Sequence, residues 1–366
     1  MNTSLLGGIT FVVVFAGIIL IHELGHFIVS RLVGIEVEEF GIGFPPRAVK
    51  LFRWKGTDFT LNWIPLGGFN KIKGEDDPNI PGGMAAANPW KRILVLLAGV
   101  TMNLLTAVLV YTILFSQVGI PDKNSAVVSV VESGSPAEIA GLKVNDIVVT
   151  AGGIPVTNYN QLITITRNYL GKPLGLSILR NGQPLNITVT PRTVYPPDQG
   201  PMGIAVGQKL RPAKSWFATI PISFSAAGSD IQNLLSLPGR IIAGTVSSQE
   251  AQIGGPRSIW NLFQQSVARD VSSRQPAPSG QSSIPTNYTL LVIISLTITV
   301  GVANLLPIPA LDGWRIFTTL VEIVLRRPIP AKYQAAINSI GFLVLLILLG
   351  FFYIKDLINP ITFTLP

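Results

Sequence analysis

The stretch Ile9-Thr10-Phe11-Val12-Val13-Val14-Phe15-Ala16-Gly17-Ile18-Ile19-Leu20-Ile21-His22-Glu23-Leu24-Gly25-His26 carries an apolar run straight into a pair of histidines, the only two in a chain of 366 residues. On a helix, residues four apart lie on one face and one turn apart, so both imidazoles can converge on one tetrahedral ion. Glu23, one step round, is placed to take a proton from the water held there. In a soluble helix the same five residues read equally well as surface polar groups or satisfied core histidines. Beside a segment of hydrocarbon length, two histidines and a carboxylate are costly unless they face a protein interior or a wet cavity, and such residues are functional candidates by default. The stretch therefore points to a zinc hydrolase inside a membrane.

Composition agrees, since only 13% of the residues are charged and the mean hydropathy is +0.48. Three more stretches approach the ~20 apolar residues that cross a bilayer. They run from about Ile93 to Phe115, Tyr288 to Leu311 and Ala335 to Ile354. The first run lacks the basic start and small-residue cleavage site of a signal peptide and ends in the metal motif, so four spans are expected. The absence of cysteine excludes disulfides, thiolate nucleophiles and cysteine-ligated zinc. A net charge of +8 suggests nucleic acid, but the Lys and Arg residues are scattered, without a basic run or an aromatic platform. Membrane topology explains them better. Arg31, Arg47, Lys50, Arg53, Lys55, Lys71, Lys73, Lys91 and Arg92 lie in one short connection, and Arg315, Arg326, Arg327 and Lys332 in another. The positive-inside rule puts both in the cytoplasm, and both chain ends with the segment from roughly 117 to 287 outside.

In that topology the first and third spans both run inward. The inner end of the third reads Asn304-Leu305-Leu306-Pro307-Ile308-Pro309-Ala310-Leu311-Asp312-Gly313, which brings Asp312 to the depth of His22 and His26. A catalytic zinc takes three protein ligands and keeps one open position. With no third histidine, a carboxylate must complete the set, and Asp312 is the best placed. Taken alone, Asp312-Gly313 reads as an ordinary turn after a helix.

Together, His22-Glu23-Leu24-Gly25-His26 and the Asn304 to Gly313 segment resemble the site-2 protease family of intramembrane zinc metalloproteases. Gly41-Ile42-Gly43-Phe44, Pro65-Leu66-Gly67-Gly68-Phe69, Asn88-Pro89-Trp90-Lys91-Arg92 and Ala98-Gly99-Val100-Thr101-Met102-Asn103 extend the resemblance, and Ile253-Gly254-Gly255-Pro256 is similar to a segment of its bacterial envelope-stress branch. The resemblance implies zinc ligands His22, His26 and Asp312, with Glu23 as catalytic base. It also implies that Asn103 and Asn304 handle the substrate backbone. Two positions depart from the family pattern: Val100 stands where proline is usual, with a consequence for a helix kink, and Trp314-Arg315 stands where glycine-histidine is common, with a consequence for the site rim.

Residues 48–54 and 58–64 gather β-formers around Lys55-Gly56-Thr57 and predict a hairpin in the 31–91 loop. A strand edge near the zinc can hold a scissile peptide extended, because its unpaired backbone accepts an added strand. Gly67 and Gly68 permit close backbone approach. A plain structural hairpin fits the residues as well, and the resemblance favours the substrate-binding reading. Outside, residues 122–207 order themselves as strand, short capped helix, strand, helix and a hairpin turned by Asn181-Gly182, similar to a bacterial PDZ domain. Asn145 stands where glycine is usual and tolerates a left-handed turn. Such a domain captures a chain end or acts as a size filter, and the residues do not separate the two.

The expected architecture is a polytopic α-helical membrane protein with four transmembrane helices, a cytoplasmic-side β-hairpin and an inserted α+β PDZ domain. Its helices fall in 1–30, 92–117, 288–313 and 335–358. The region 208–287 is expected to be amphipathic and linker-like, with an interfacial helix, or one packed on the PDZ domain, over 215–243 and a flexible Ser-, Pro- and Gln-rich linker over 271–287. The expected partners are the bilayer and a single-span membrane protein, such as an anti-sigma factor or similar regulator, cut after a first cleavage of its outer domain. The expected location is the plasma membrane or an organelle membrane of bacterial descent. Two other readings compete: a membrane-anchored zinc protease working in water, which lacks a third ligand in a soluble segment, and a non-catalytic PDZ scaffold or chaperone keeping a structural metal, for which Glu23 has no use.

Overall fold

The computed structural model describes residues 3–75, 77–196, 199–244, 246, 255–274, 287–327 and 329–359. The chain divides into two units, one formed by Met1–Leu114 with Trp216–Pro366 and the other by Phe115–Ser215.

The first unit is helical. Three of its helices are long and apolar enough to cross a membrane: α1 (Thr3–Val33), α2 (Pro89–Val118) and a C-terminal helix that includes Lys332–Ile358. The C-terminal helix is inside out by the standards of water. Ile340, Phe342, Leu343 and Ile347 are exposed while Asp356 is 3% exposed. That pattern suits a hydrocarbon surround, where polar groups must turn inward.

Between α1 and α2 the chain forms two long antiparallel strands, β1 (Val37–Trp54) and β2 (Thr57–Ile72). Both bend, so that Phe40, Gly41 and Ile42 pair with Phe59, Thr60 and Leu61 on one side and with Asn70, Phe69 and Gly68 on the other. The hairpin is thereby a small meander in which the 68–72 segment is an edge, with no further strand beside it among the described residues. Glu39 is buried in its middle, bonded to Arg47 and to the Thr60 hydroxyl at 2.8 Å, and the Arg47 guanidinium holds its carboxyl below the usual carboxylate range.

The second unit is an α+β fold in the expected order: β3 (Ile120–Val131), α3 (Pro136–Ile139), β4 (Ile147–Ala151), β5 (Ile154–Pro155), α4 (Tyr159–Asn168), β6 (Leu174–Arg180), β7 (Gln183–Val189) and β8 (Ile204–Arg211). The sheet runs β7-β6-β4-β3-β8, with β5 beside β4. Asn181 and Gly182 take φ of 51° and 81°, the paired left-handed residues of a tight hairpin turn, and Asn145 takes 72°. Ala126, Val128, Leu162, Leu174 and Ile178 are buried to 1% or less and form this unit's own core.

After it come α5 (Trp216–Ile242), α6 (Pro256–Ser273), α7 (Tyr288–Ala303), α8 (Asp312–Leu325) and α9 (Ala331–Ile358). Two expectations gain detail here and one changes. The 215–243 helix packs within the helical unit, where Tyr111 donates to Asp230 at 2.5 Å and Thr112 to Ser223 at 3.1 Å. Residues 256–273, expected as amphipathic or linker chain, form a helix whose Trp260 and Gln264 meet Gly7 and Gly8 of α1. The 288–311 span stops at Ala303, because Pro307 and Pro309 cannot continue a helix. Its 16 residues reach about 24 Å, short of a full crossing. Ile253-Gly254 and residues 275–286 of the expected linker lie outside the described residues.

Candidate metal centre

Glycine brings the first two helices together. A Cβ on Gly25 would stand 2.5 Å from the Ala98 carbonyl oxygen, so α1 and α2 touch backbone to backbone at the centre of the histidine motif. One residue on, a Cβ on Gly99 would lie 2.5 Å from His26 Nε2 and 2.8 Å from His22 Nε2. The imidazoles fill the space that this side chain vacates. Both histidines are 6% exposed. His26 Nδ1 donates to the Val95 carbonyl at 2.7 Å, which leaves its Nε2 bare and pointed at His22.

Asp312, the first residue of α8, reaches this point at the end of the loop that follows α7. The loop is folded on itself: the Gly313 amide donates to Asn304 O at 2.7 Å, and a Cβ on Gly313 would sit 2.3 Å from the Leu305 carbonyl. Ala310, with φ of 80°, holds a left-handed conformation that costs a residue with a Cβ about 1 kcal/mol or more. Such strain persists only where the surrounding structure imposes it. Its product is the position of the Asp312 carboxylate, with Oδ2 at 2.9 Å from His22 Nε2 and 3.3 Å from His26 Nε2. The two Nε2 atoms are 3.1 Å apart.

Among the described residues, His22, His26 and Asp312 are the one group of metal-ligating side chains so gathered. Two imidazoles and a carboxylate are a donor set for zinc, whose tetrahedral ligands at ~2.0–2.1 Å stand roughly 3.3 Å from one another. The observed separations lie close to that edge length, so the residues fit the ion.

The remaining predicted residues surround this cluster. Gly68, on the β2 edge, lies so close to α1 that a Cβ would meet Leu20 Cα at 3.0 Å and Glu23 Cγ at 3.2 Å, and Gly67, at φ 83°, faces Ile19. The edge strand thus runs past the acid next to the histidines. Asn304 Nδ2 is 3.4 Å from His22 Nε2, and Asn103 Nδ2 is 3.4 Å from His22 Nδ1. Helix α2 runs unbroken through Val100, so the departure from proline leaves no interruption there. Arg315 forms an ion pair with Glu75 beside a cavity of about 390 Å³ that Asp312 also lines. The roles of Gly25, Gly99, Ala310 and the Glu75–Arg315 pair were not read from the sequence. For the two glycines a signal existed, because glycine inside a helix costs about 1 kcal/mol relative to alanine and needs a packing reason.

Relatives share this chain over nearly its whole length. A candidate zinc metalloprotease of Clostridium perfringens is 33% identical, over 95% of this chain and 97% of its own. Another from Campylobacter jejuni is 30% identical over 94% of this chain and 92% of its own. The metalloprotease MmpA of Caulobacter vibrioides is 27% identical over 91% and 90%. The family model described as peptidase family M50 matches residues 10–348, and with the glycine-lined cluster of two histidines and an aspartate beside a glutamate, this places the chain in peptidase family M50.

Proposed function

We propose that this chain is a zinc metalloendopeptidase that cuts a single-span membrane protein within the bilayer, after a first cleavage has removed that protein's outer domain. The observation that carries the reading is the meeting of His22, His26 and Asp312 at 2.9–3.3 Å beside Glu23 and under an open strand edge, all within the unit built from the long apolar helices. His22, His26 and Asp312 hold the ion. Zinc so held supplies Lewis-acid polarisation of a bound carbonyl or water.

The chain's own residues do the rest. Glu23 takes a proton from the attacking water and returns it to the leaving amine. The Gly67–Ile72 edge pairs with an unwound segment of substrate, which a helical substrate needs because its own amides are otherwise satisfied internally. The Asn304 amide, next to the ligand cluster, holds the substrate backbone. The enzyme sits in the plasma membrane with this site in its cytoplasmic half, as the distribution of Lys and Arg supports. The α+β unit is a PDZ domain. A groove of about 390 Å³ runs between α4 and the free edge of β8, lined by Tyr159, Leu162, Ile163, Met202 and Val206. A groove beside an open strand favours capture of a chain end over a purely steric filter.

The test is cleavage of a single-span peptide in proteoliposomes, with metal content measured in parallel. Wild type should carry about one zinc per chain, and Glu23→Gln should keep the metal while its turnover falls by about 10²–10⁴-fold. Substantial cleavage by Glu23→Gln would defeat the mechanism.

A further inference from the structure

The two histidines are oriented differently by the same helix. His26 Nδ1 donates to a backbone carbonyl, Val95 O, and is thereby fixed. Among the described residues, no backbone carbonyl accepts from His22 Nδ1. It faces the side chain of Asn103, two turns further along α2 and 0% exposed.

His22 directs Nε2 at Asp312 and at His26 Nε2. A neutral imidazole that offers one nitrogen to a cation carries its proton on the other, so Nδ1 must donate. The amide of Asn103 is the group that Nδ1 meets. Asn103 Oδ1 is buried with no hydrogen-bond partner among the described residues, whereas Nδ2 stands 3.4 Å from Nδ1, where two donors would face each other. Half a turn of the amide, which leaves its shape unchanged, exchanges the two atoms. It gives the orphaned oxygen a donor and the ring proton an acceptor. The Asn103 side chain is fully buried, with Gly301 of α7 facing its Cβ.

We infer that Asn103 is a positioning residue, whose amide oxygen accepts from His22 Nδ1–H and so fixes the tautomer and ring plane that present Nε2 to zinc. This assigns Asn103 to the metal's outer shell and away from the substrate backbone. It rests on the reading that His22 and His26 hold the ion. Outer-shell acceptors of this kind fix the ring and raise its basicity, and their loss typically costs about 10–100-fold in metal affinity.

The experiment compares full-length wild type, Asn103→Leu and Asn103→Asp in detergent, with zinc affinity read by competition against a chromogenic chelator. Because the chain has two histidines, 15N-histidine labelling and solid-state NMR of the zinc-loaded proteins report both rings directly. Asn103→Leu should bind zinc about 10–100-fold more weakly with its metal-free melting temperature unchanged, while Asn103→Asp, which keeps an acceptor, should stay within about threefold of wild type. Wild type should show a protonated Nδ1 and a metal-bound Nε2 on both rings. Zinc binding by Asn103→Leu equal to wild type would overturn the assignment, as would an effect confined to KM or kcat for peptide cleavage. A wild type that takes up no zinc would instead overturn the parent reading and this one with it.

Discussion

Gly99 carries no side chain, and the Nε2 atoms of both histidines lie where one would begin. Gly99→Ala places a methyl 2.5 Å from His26 Nε2, against a helix backbone that cannot retreat because Gly25 already touches α2. This substitution should lower zinc affinity by at least the ~10–100-fold typical of outer-shell losses, measured by chelator competition, and it should do so without removing any polar group. An affinity equal to wild type would show that the two helices separate more easily than their contact implies. At this scale the clustered residues were legible in the sequence: chain-wide scarcity singled out His22 and His26, and depth matching pointed to Asp312. What was not legible was shape. A glycine's letter does not say which neighbour comes close, and the left-handed Ala310 carries no mark that separates it from any other alanine.

Helix α6 ties its neighbours together through carboxylates. Its N-terminal Ser258 amide donates to Asp356 of α9 at 2.9 Å. Near its other end, Asp270 accepts from the Tyr288 and Thr289 amides of α7 at 2.7 and 3.0 Å. Asp270 therefore does the work of an N-cap side chain for a different helix, supplied from 18 residues before Tyr288. Asp270→Ala leaves two backbone donors unmatched and should destabilise the helical unit by about 1–2 kcal/mol, with Asp270→Asn costing less. Thermal unfolding in detergent checks both, and an unshifted transition for the alanine variant would remove the cap from the account. The α6 helix was hard to read because Ile259, Phe263 and Val267 make only a narrow apolar stripe among polar residues, and the carboxylate that accepts from its first turn, Asp356, comes from a distant segment. The 174–190 hairpin and the succession of elements along the second unit were easier, since local turn chemistry at Asn181-Gly182 and period-two alternation mark them without distant partners.

As a whole molecule the chain is two units with separate interiors. The core around Leu162, Leu174, Leu176 and Ile178 draws on residues 126–206 alone, within a unit of about the size at which single domains fold independently. A fragment spanning residues 118–213, expressed without the helices, should unfold cooperatively and give dispersed amide resonances in water. A featureless spectrum would mean that this unit depends on the rest of the chain. The segregation was visible beforehand as a shift in composition, from apolar runs to alternating strands and turns. The route of the third long apolar run was less so, because hydropathy does not register that Pro307 and Pro309 end the helix early and fold its remainder back.

The Asp312 carboxylate joins a histidine 290 residues upstream. At translation rates of ~5–20 residues per second, about 15–60 s separate the synthesis of His22 from that of its acidic partner. For that interval a growing polypeptide holds two bare imidazoles and an unopposed glutamate on a helix already delivered to the membrane. On the proposed ligand set, metal acquisition would be one of the last events of biogenesis, and nascent chains stalled or truncated before Asp312 would be proteolytically silent.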